Sequence, residues 1–371
     1  MNTARLQALA ALWLHQQWKK RGWWARLLWP VSCMASAYVF AKRRWYQGDT
    51  KRVYRAPVPV VIVGNLYVGG VGKTPVVIAL VQQLLALGWH PGVISRGYGI
   101  ALGPTPRVGL GALDASAMGD EPALISELTQ APVSVHPNRT LACEALLHAY
   151  PDVDVIVSDD GLQHLALARD LEIVVQDDRR LGNGWLLPAG PLREPSSRMA
   201  TVDLVITRQI LPKLHDAVQS PTNRATGALR PSSHPAELTM HLEMTGLHSL
   251  DRKINISVYE FLKLQKNKRI TAISAISEPD RFFNSLKQAG ILVQTTIGLP
   301  DHHPLEAAFF KSQSADLLLI TAKDAVKCQT LRDPRIWVVR TEAVFSDPHW
   351  GAQIAAQLTK PPARHQKSRP E

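Results

Sequence analysis

The sequence predicts an α/β protein in three parts: a P-loop NTPase-like core with a mostly parallel sheet, a second, smaller α/β domain, and an N-terminal membrane-anchoring helix. First, an apolar, mostly β-branched run at 58–63 leads through Gly69, Gly70, Gly72, Lys73 and Thr74 into a helical pattern of Val77, Leu80, Val81, Leu84 and Leu85, closed by Gly88. Strand, glycine loop, Gly-Lys-Thr and helix is the arrangement that holds nucleotide phosphates. Second, short apolar strands alternate with helical periods along most of the 371 residues, as a parallel sheet requires. Third, an uncharged run at 27–41 lies between Lys19, Lys20 and Arg21 on one side and Lys42, Arg43 and Arg44 on the other.

The N-terminal segment holds most of the charge. Residues 1–55 contain eleven Lys and Arg against one acid, Asp49, while the whole chain carries +11. The rest is close to neutral, so no nucleic-acid-binding body is implied; a basic segment facing an anionic surface is. Six of the ten Trp fall in the first 46 residues, and Trp beside cations marks a membrane-seated helix. The uncharged run is shorter than the ~20 residues of a full span, and Pro30, Ser32 and Ser36 interrupt it. The expectation is a short tilted span or a helix lying in the interface. The apolar run starts late and no clear cleavage site follows it, which argues against a signal peptide. Cys33, Cys143 and Cys328 are far apart and form no CxxC, which suggests neither disulfides nor zinc and fits a reducing compartment.

The core follows. Residues Tyr67, Val68, Gly69, Gly70, Val71, Gly72, Lys73 and Thr74 form the candidate phosphate cradle. Its backbone N–H groups turn toward phosphate oxygens, Lys73 reaches the β and γ phosphates, and Thr74 can ligate Mg²⁺. The loop is of a less common subtype, with Tyr67 where a glycine is usual and Val68 where partition-type ATPases have lysine. A strand at 92–94 runs into Ser95-Arg96-Gly97-Tyr98-Gly99, and 101–117 reads as a surface loop. Gly119-Asp120-Glu121-Pro122 opens a helical run at 123–128, where two acids alone would only complement the helix dipole. After a strand at 132–135 and a helix at 139–149, a strand at 153–157 ends in Ser158-Asp159-Asp160-Gly161. An apolar strand ending in Asp downstream of a phosphate loop is the second half of a nucleotide site, and Asp159 or Asp160 should hold Mg²⁺. Leu162-Gln163-His164, a strand at 171–175, a Gly- and Pro-rich loop at 183–195 and a strand at 202–207 complete this part.

Residues 211–236 are weakly periodic and contain Pro, Ser and Asn, which places a boundary there. The expected organisation is 1–55 anchoring helix and basic segment, 56–235 core, 236–358 smaller α/β domain and 359–371 disordered tail. In the smaller domain, strands at 271–276, 291–296, 317–321 and 337–340 alternate with helical runs at 280–288, 305–312 and 322–331. Asp301-His302-His303 follows a strand and could contribute to a metal site, although no third ligand is evident.

Taken in order, these motifs resemble the tetraacyldisaccharide 4′-kinase (lipid A 4′-kinase) family. The matching residues are Gly64-Asn65-Leu66, Gly69-Gly70-Val71-Gly72-Lys73-Thr74-Pro75, Ser95 to Gly99, Gly119 to Pro122, Asp159 to His164, Leu187 to Pro195, and Asp301-His302-His303. The resemblance runs to about residue 345. It implies an inner-membrane-associated kinase, its active site on the cytoplasmic side, that moves the γ-phosphate of ATP, with Mg²⁺, to the 4′-hydroxyl of an acylated disaccharide lipid. It also implies Asp120 as catalytic acid–base residue, partnered by one His of Asp301-His302-His303, with His302 preferred over His303, Asp159 and Asp160 as Mg²⁺ carboxylates, and Glu121, His164, Arg193 and Glu194 as headgroup or phosphate contacts. Two segments depart from the family pattern: Ala275-Ile276-Ser277-Glu278-Pro279 and Thr321-Ala322-Lys323-Asp324.

Two other classes compete. A soluble GTPase or partition-type ATPase would need Asn/Thr-Lys-x-Asp or a lysine before Gly-Gly, and neither is present. A membrane-tethered nucleotide sensor or ATPase without lipid kinase activity would account for the loop and the helix but not for Asp120 and the Asp-His-His cluster.

Overall fold

Residues Val60–Gly64 form β1, buried along its whole length. Val61 and Val63 enter one apolar cluster and Val60 and Ile62 another, so the strand is covered on both faces. That is why 58–63 reads as an unbroken apolar run with no polar alternation. The structure, a computed structural model, describes residues 16–18, 21–209 and 235–359. Lys19 and Lys20, most of the 211–236 boundary segment and nearly all of the polar tail lie outside the described residues.

Around β1 the chain builds one mixed sheet of 13 strands. The others are β2 (Pro91–Ser95), β3 (Arg107–Gly109), β4 (Val133–Val135), β5 (Val155–Asp159), β6 (Leu171–Gln176), β7 (Leu204–Arg208), β8 (Ala236–Ser249), β9 (Asn255–Ile256), β10 (Ile270–Ser274), β11 (Thr295–Gly298), β12 (Leu317–Thr321) and β13 (Ile336–Phe345). Their order is β11-β10-β12-β13-β8-β7-β6-β1-β5-β2-β4-β3, with β9 beside β8. Pairing is parallel except where β13 meets β8, β3 meets β4 and β9 meets β8. The helices are α1 (Trp23–Gln47), α2 (Lys73–Ala86), α3 (Ala115–Met118), α4 (Asp120–Thr129), α5 (Arg139–Ala149), α6 (Val258–Leu264), α7 (Pro279–Gln288), α8 (Ala307–Lys311), α9 (Ala322–Ala325) and α10 (Trp350–Gln357).

No strand is expected at 236–249 from the sequence, yet β8 is the longest and joins the two α/β units. Its first five residues pair β7 in parallel, and Met240 to Ser249 pair β13 antiparallel. Its burial does not alternate: most of its residues are half-buried, Leu242, Met244 and His248 line an inter-unit cavity, and no period of two shows in the sequence. Each unit keeps its own apolar clusters. The chain then returns: Trp350 and Ile354 of α10 are buried in the same cluster as Val77 and Leu80 of α2.

Helix α1 has two unlike faces. Ala25 and Ser32 are buried, and Ala35 and Val39 pack on the β1 cluster. Ser32 donates to the Leu186 carbonyl at 2.8 Å and accepts from the Ala189 N–H at 2.9 Å, so the Gly- and Pro-rich loop at 183–195 is its cradle. On the other side Trp23, Leu27, Val31, Met34, Tyr38 and Trp45 are exposed, Met34 to 73%. Among the described residues no helix is long and apolar enough to cross a membrane.

Candidate active site

The parallel strands β2, β5, β1, β6 and β7 are consecutive neighbours, and the site residues leave from their carboxyl ends. That is where open α/β sheets bind ligands. The glycine loop follows β1, and Gly72, at φ +93°, caps α2 in a conformation open to glycine. The N–H groups at the start of α2 thus face the loop. Asn65 shapes it: its amide donates to the Tyr67 carbonyl and, at 3.3 Å, to that of Gly69. Lys73 Nζ donates to Asn65 Oδ1 at 2.9 Å and lies 3.4 Å from Asp160. Lys73 is therefore held over the loop.

Asp159 and Asp160 close β5 but differ in environment. Asp160, at φ +51°, is bound by Arg193 Nη1 at 3.0 and 3.1 Å. Burial works to raise its pKa, but the Lys73 and Arg193 charges outweigh it and hold the group below its ordinary value. Asp159 is buried; Ser95 Oγ donates to one of its oxygens at 3.1 Å, while the other, Oδ1, has no hydrogen-bond partner among the described residues. Burial, with the charges of Glu121 and Asp160, pushes its pKa up to about 7. An orphaned carboxylate oxygen beside a second carboxylate and a phosphate loop fits Mg²⁺, which is commonly held by one or two carboxylates plus substrate phosphates. Among the described residues no group of three or more His, Cys, Asp and Glu forms a metal cage, so Asp301-His302-His303 is not one.

The second unit closes over this edge. Asp120 starts α4, and Nδ1 of His302, between β11 and α8, lies 3.0 Å from its Oδ2. Burial would raise the Asp120 pKa, but the His302 hydrogen bond and the charges of Lys327 and Lys323 lower it overall. Glu121 is bound by Lys323 at 3.0 Å, and Lys323 also reaches Asp301 at 3.3 Å. Lys327 lies 3.8 Å from Asp120 and pairs with the buried Asp324 at 2.7 Å, whose oxygens accept from the Ala275 N–H. Lys323, in one of the two segments that depart from the family pattern, thus ties the second unit to Glu121, and Asp324 joins that segment to Ala275 in the other.

The other expected contacts are engaged within the protein. Glu194 is buried; it accepts from Gln163 at 2.7 Å and pairs with Arg198 at 3.5 Å and with Arg43 of α1 at 3.6 Å. His164 accepts from the N–H of Arg139 at 3.3 Å, and burial pushes its pKa down to about 4. Lys327, Arg139 and Arg179 were given no role from the sequence, and Lys323 stood there only within a divergent segment. Arg139 donates to the Asp159 carbonyl at 3.2 Å, and Arg179 to the Gly70 carbonyl at 2.7 Å. Their partners are remote in the chain, and no local motif marks them.

A glycine-rich loop between a strand and a helix, beside a carboxylate–imidazole pair, has the form of a phosphoryl-transfer site. Residues 24–359 match the family of tetraacyldisaccharide-1-P 4′-kinases, and the chain belongs to that family. It is 49% identical to the tetraacyldisaccharide 4′-kinase of Bordetella parapertussis over 345 residues, covering 93% of this chain and 96% of the relative. The corresponding enzyme of Vibrio cholerae is 41% identical, with 86% and 88% covered. In fold it is similar to a crystal structure of LpxK from Aquifex aeolicus in complex with ATP, with a TM-score of 0.72, 24% identity, and 90% of this chain and 99% of that one covered.

Proposed function

We propose that this chain transfers the γ-phosphate of ATP to the 4′-hydroxyl of a tetraacyldisaccharide 1-phosphate, giving the bis-phosphorylated lipid A precursor. The contact of Asp120 with His302 beside the phosphate loop carries this reading, because a nucleotide sensor has no use for it. In the resting arrangement Lys73 is held by Asn65 and Asp160. When ATP enters, Lys73 turns to the β and γ phosphates, and the loop N–H groups fix the chain for in-line attack. Asp120, kept ionised, accepts the 4′-hydroxyl proton as the bond to phosphorus forms, and His302 holds the carboxylate in position. Asp159, Asp160 and Thr74 would hold Mg²⁺, which supplies charge neutralisation on the phosphates. Glu121 and Arg193 remain the nearest candidates for headgroup contacts; Glu194 and His164 would act through Arg43, Gln163 and Arg139.

The lipid acceptor must be presented at a membrane, and α1 has the form for it. One face is fixed to the protein by Ser32 and by the Arg43–Glu194 pair, and the other is apolar and exposed. A helix lying in the interface of the cytoplasmic face of the inner membrane fits both. The test is transfer of label from γ-labelled ATP to a lipid-extractable disaccharide. Label released only as inorganic phosphate would overturn the kinase reading in favour of an ATPase.

A further inference from the structure

The cavity between the two units, about 1530 Å³, is lined by the glycine loop and by five arginines that the mechanism above does not use, Arg208 and Arg281 among them. Arg208 ends β7, the strand beyond β6 from the phosphate-loop strand. It approaches Gly72 so closely that a Cβ there would meet its Cδ at 2.9 Å and its Nη1 at 3.4 Å. Its guanidinium forms no hydrogen bond or ion pair with any described residue. Arg281, on α7, binds Asp177 at 2.9 Å and Asp178 at 3.1 Å through Nη2 and pairs with Glu278, yet its Nη1 is buried and without a hydrogen-bond partner. Burial first, and then the neighbouring Arg281 charge, disfavour the charged form of Arg208, while Glu278, Asp177 and Asp178 favour it. Like charges held together with unused donors beside a phosphate loop call for an anion between them.

We propose that Arg208, with the free Nη1 of Arg281, forms a second cationic wall that grips the polyphosphate chain of the nucleotide from the side opposite Lys73. A guanidinium there acts on the charge of the α and β phosphates as well as on that developing during transfer, as an arginine supplied in cis does. The proposal rests on the reading of the loop as an ATP site. It singles out Arg208 as a residue that sets affinity for polyphosphate, a role no local motif announces.

The experiment is calorimetric titration of the full-length protein with a non-hydrolysable ATP analogue and with inorganic tripolyphosphate, beside kcat and KM for ATP. Arg208→Gln should weaken binding of both probes tenfold or more and raise the KM for ATP at least as much. Arg208→Lys keeps the charge but not the fork, and should fall between. Lys73→Ala is the control for the site itself. Arg208→Gln and Arg208→Lys that fold, bind both probes and turn over as wild type, while Lys73→Ala has lost binding, would overturn the proposal and leave the ATP site standing. Unchanged binding in Lys73→Ala would instead overturn the ATP site on which it rests. If Arg208→Gln does not fold, Arg208→Lys decides alone: wild-type affinity for tripolyphosphate contradicts the clamp, and a loss of several-fold supports it.

Discussion

The Asp120 carboxylate and the His302 imidazole meet at 3.0 Å although 182 positions separate them in the chain. The continuous sheet makes this possible, since β8 carries the chain from the first unit to the second without a break in pairing. His302 sits at φ +61°, a left-handed conformation that costs a non-glycine residue roughly 1–2 kcal/mol. Asp301 Oδ1 accepts the His302 N–H at 3.1 Å, which helps hold that turn. Residues held in such a conformation cluster at active sites and ligand clamps.

If the two act as one unit, removing either should cost almost as much as removing both. Asp120→Ala and His302→Ala should each lower kcat by about 10²-fold or more, the size usual for a positioned acid–base group. The double variant should fall little below the worse single one, and ATP affinity should survive in all three. Steady-state kinetics with calorimetric binding decides it; fully additive losses would separate the two roles. Because Asp120 is held below the ordinary carboxylate range, its protonation cannot give an inflection in kcat/KM near neutral pH.

Asp159 supplies a pH dependence of stability. Its folded pKa is raised from 3.8 to about 7 by burial and by the Glu121 and Asp160 charges. Between these values the folded protein keeps a proton that the unfolded chain has released, so the contribution of this group to stability falls as pH rises through that window. Mg²⁺ with ATP should relieve this, raising Tm more at pH 8 than at pH 5. Asp159→Asn should raise the Tm of the ligand-free protein at pH 8 relative to wild type while abolishing the Mg²⁺-dependent gain. Scanning calorimetry at the two pH values is the check, and equal ligand shifts at both would contradict it.

Arg179 and Asp177 bind the phosphate loop to the second unit. Asp177, 1% exposed at its side chain, pairs with Arg179 at 2.7 Å and with Arg281 at 2.9 Å, and Arg179 pairs in turn with Glu278 at 3.0 Å. Arg179 also stacks over Tyr67, 4.5 Å from the ring centroid. Removing one member of a buried ion pair leaves the other charge uncompensated and costs about 3–5 kcal/mol. Asp177→Ala should therefore lower unfolding free energy by roughly that amount in urea. Arg179→Ala should cost less stability, because its side chain is partly exposed, yet raise the KM for ATP several-fold by loosening Gly70. An unchanged urea midpoint in Asp177→Ala would show that the network is not coupled to folding.

Local pattern made the phosphate loop legible: strand, glycines, Lys73 and helix are contiguous, and each is set by its own residues. The helix at 139–149 and the strand at 317–321 are read to the residue for the same reason. The Asp120–His302 contact came from the family resemblance, because no periodicity links positions so far apart. Strand β8 was not legible, since its environment changes along its length. Lys323 stood in a segment noted only as a departure, and Lys327 in a helical run given no role; their partners Glu121 and Asp120 lie on another unit. Expected strand 291–296 begins later, at Thr295, because Ile291 is buried against α6 and α7 where the chain leaves α7.

The exposed face of α1 gives the last prediction. Leu27, Val31, Met34 and Tyr38 recur at helical spacing and are exposed, whereas Ala25 and Ser32 on the opposite side are buried. Burying a large apolar side chain is worth about 1.5–3 kcal/mol, and each well-placed cation about 1 kcal/mol on an anionic surface. The apolar stripe should therefore dominate membrane binding, with the cations as support. Replacing Leu27, Val31, Met34 and Tyr38 by Ser should abolish co-sedimentation with vesicles and lower the rate on lipid presented in vesicles. ATP binding should remain, because the altered face points away from the sheet. Changing Lys42 and Arg44 to Gln should weaken binding to anionic vesicles more than to neutral ones, and less at high salt. Arg43 is left in place because it pairs with Glu194. The discriminating measurement is the rate on detergent-dispersed lipid: if α1 serves only to concentrate substrate, the Ser variant should work at the wild-type rate there. A Ser variant that sediments with vesicles like wild type would remove the membrane role from this face.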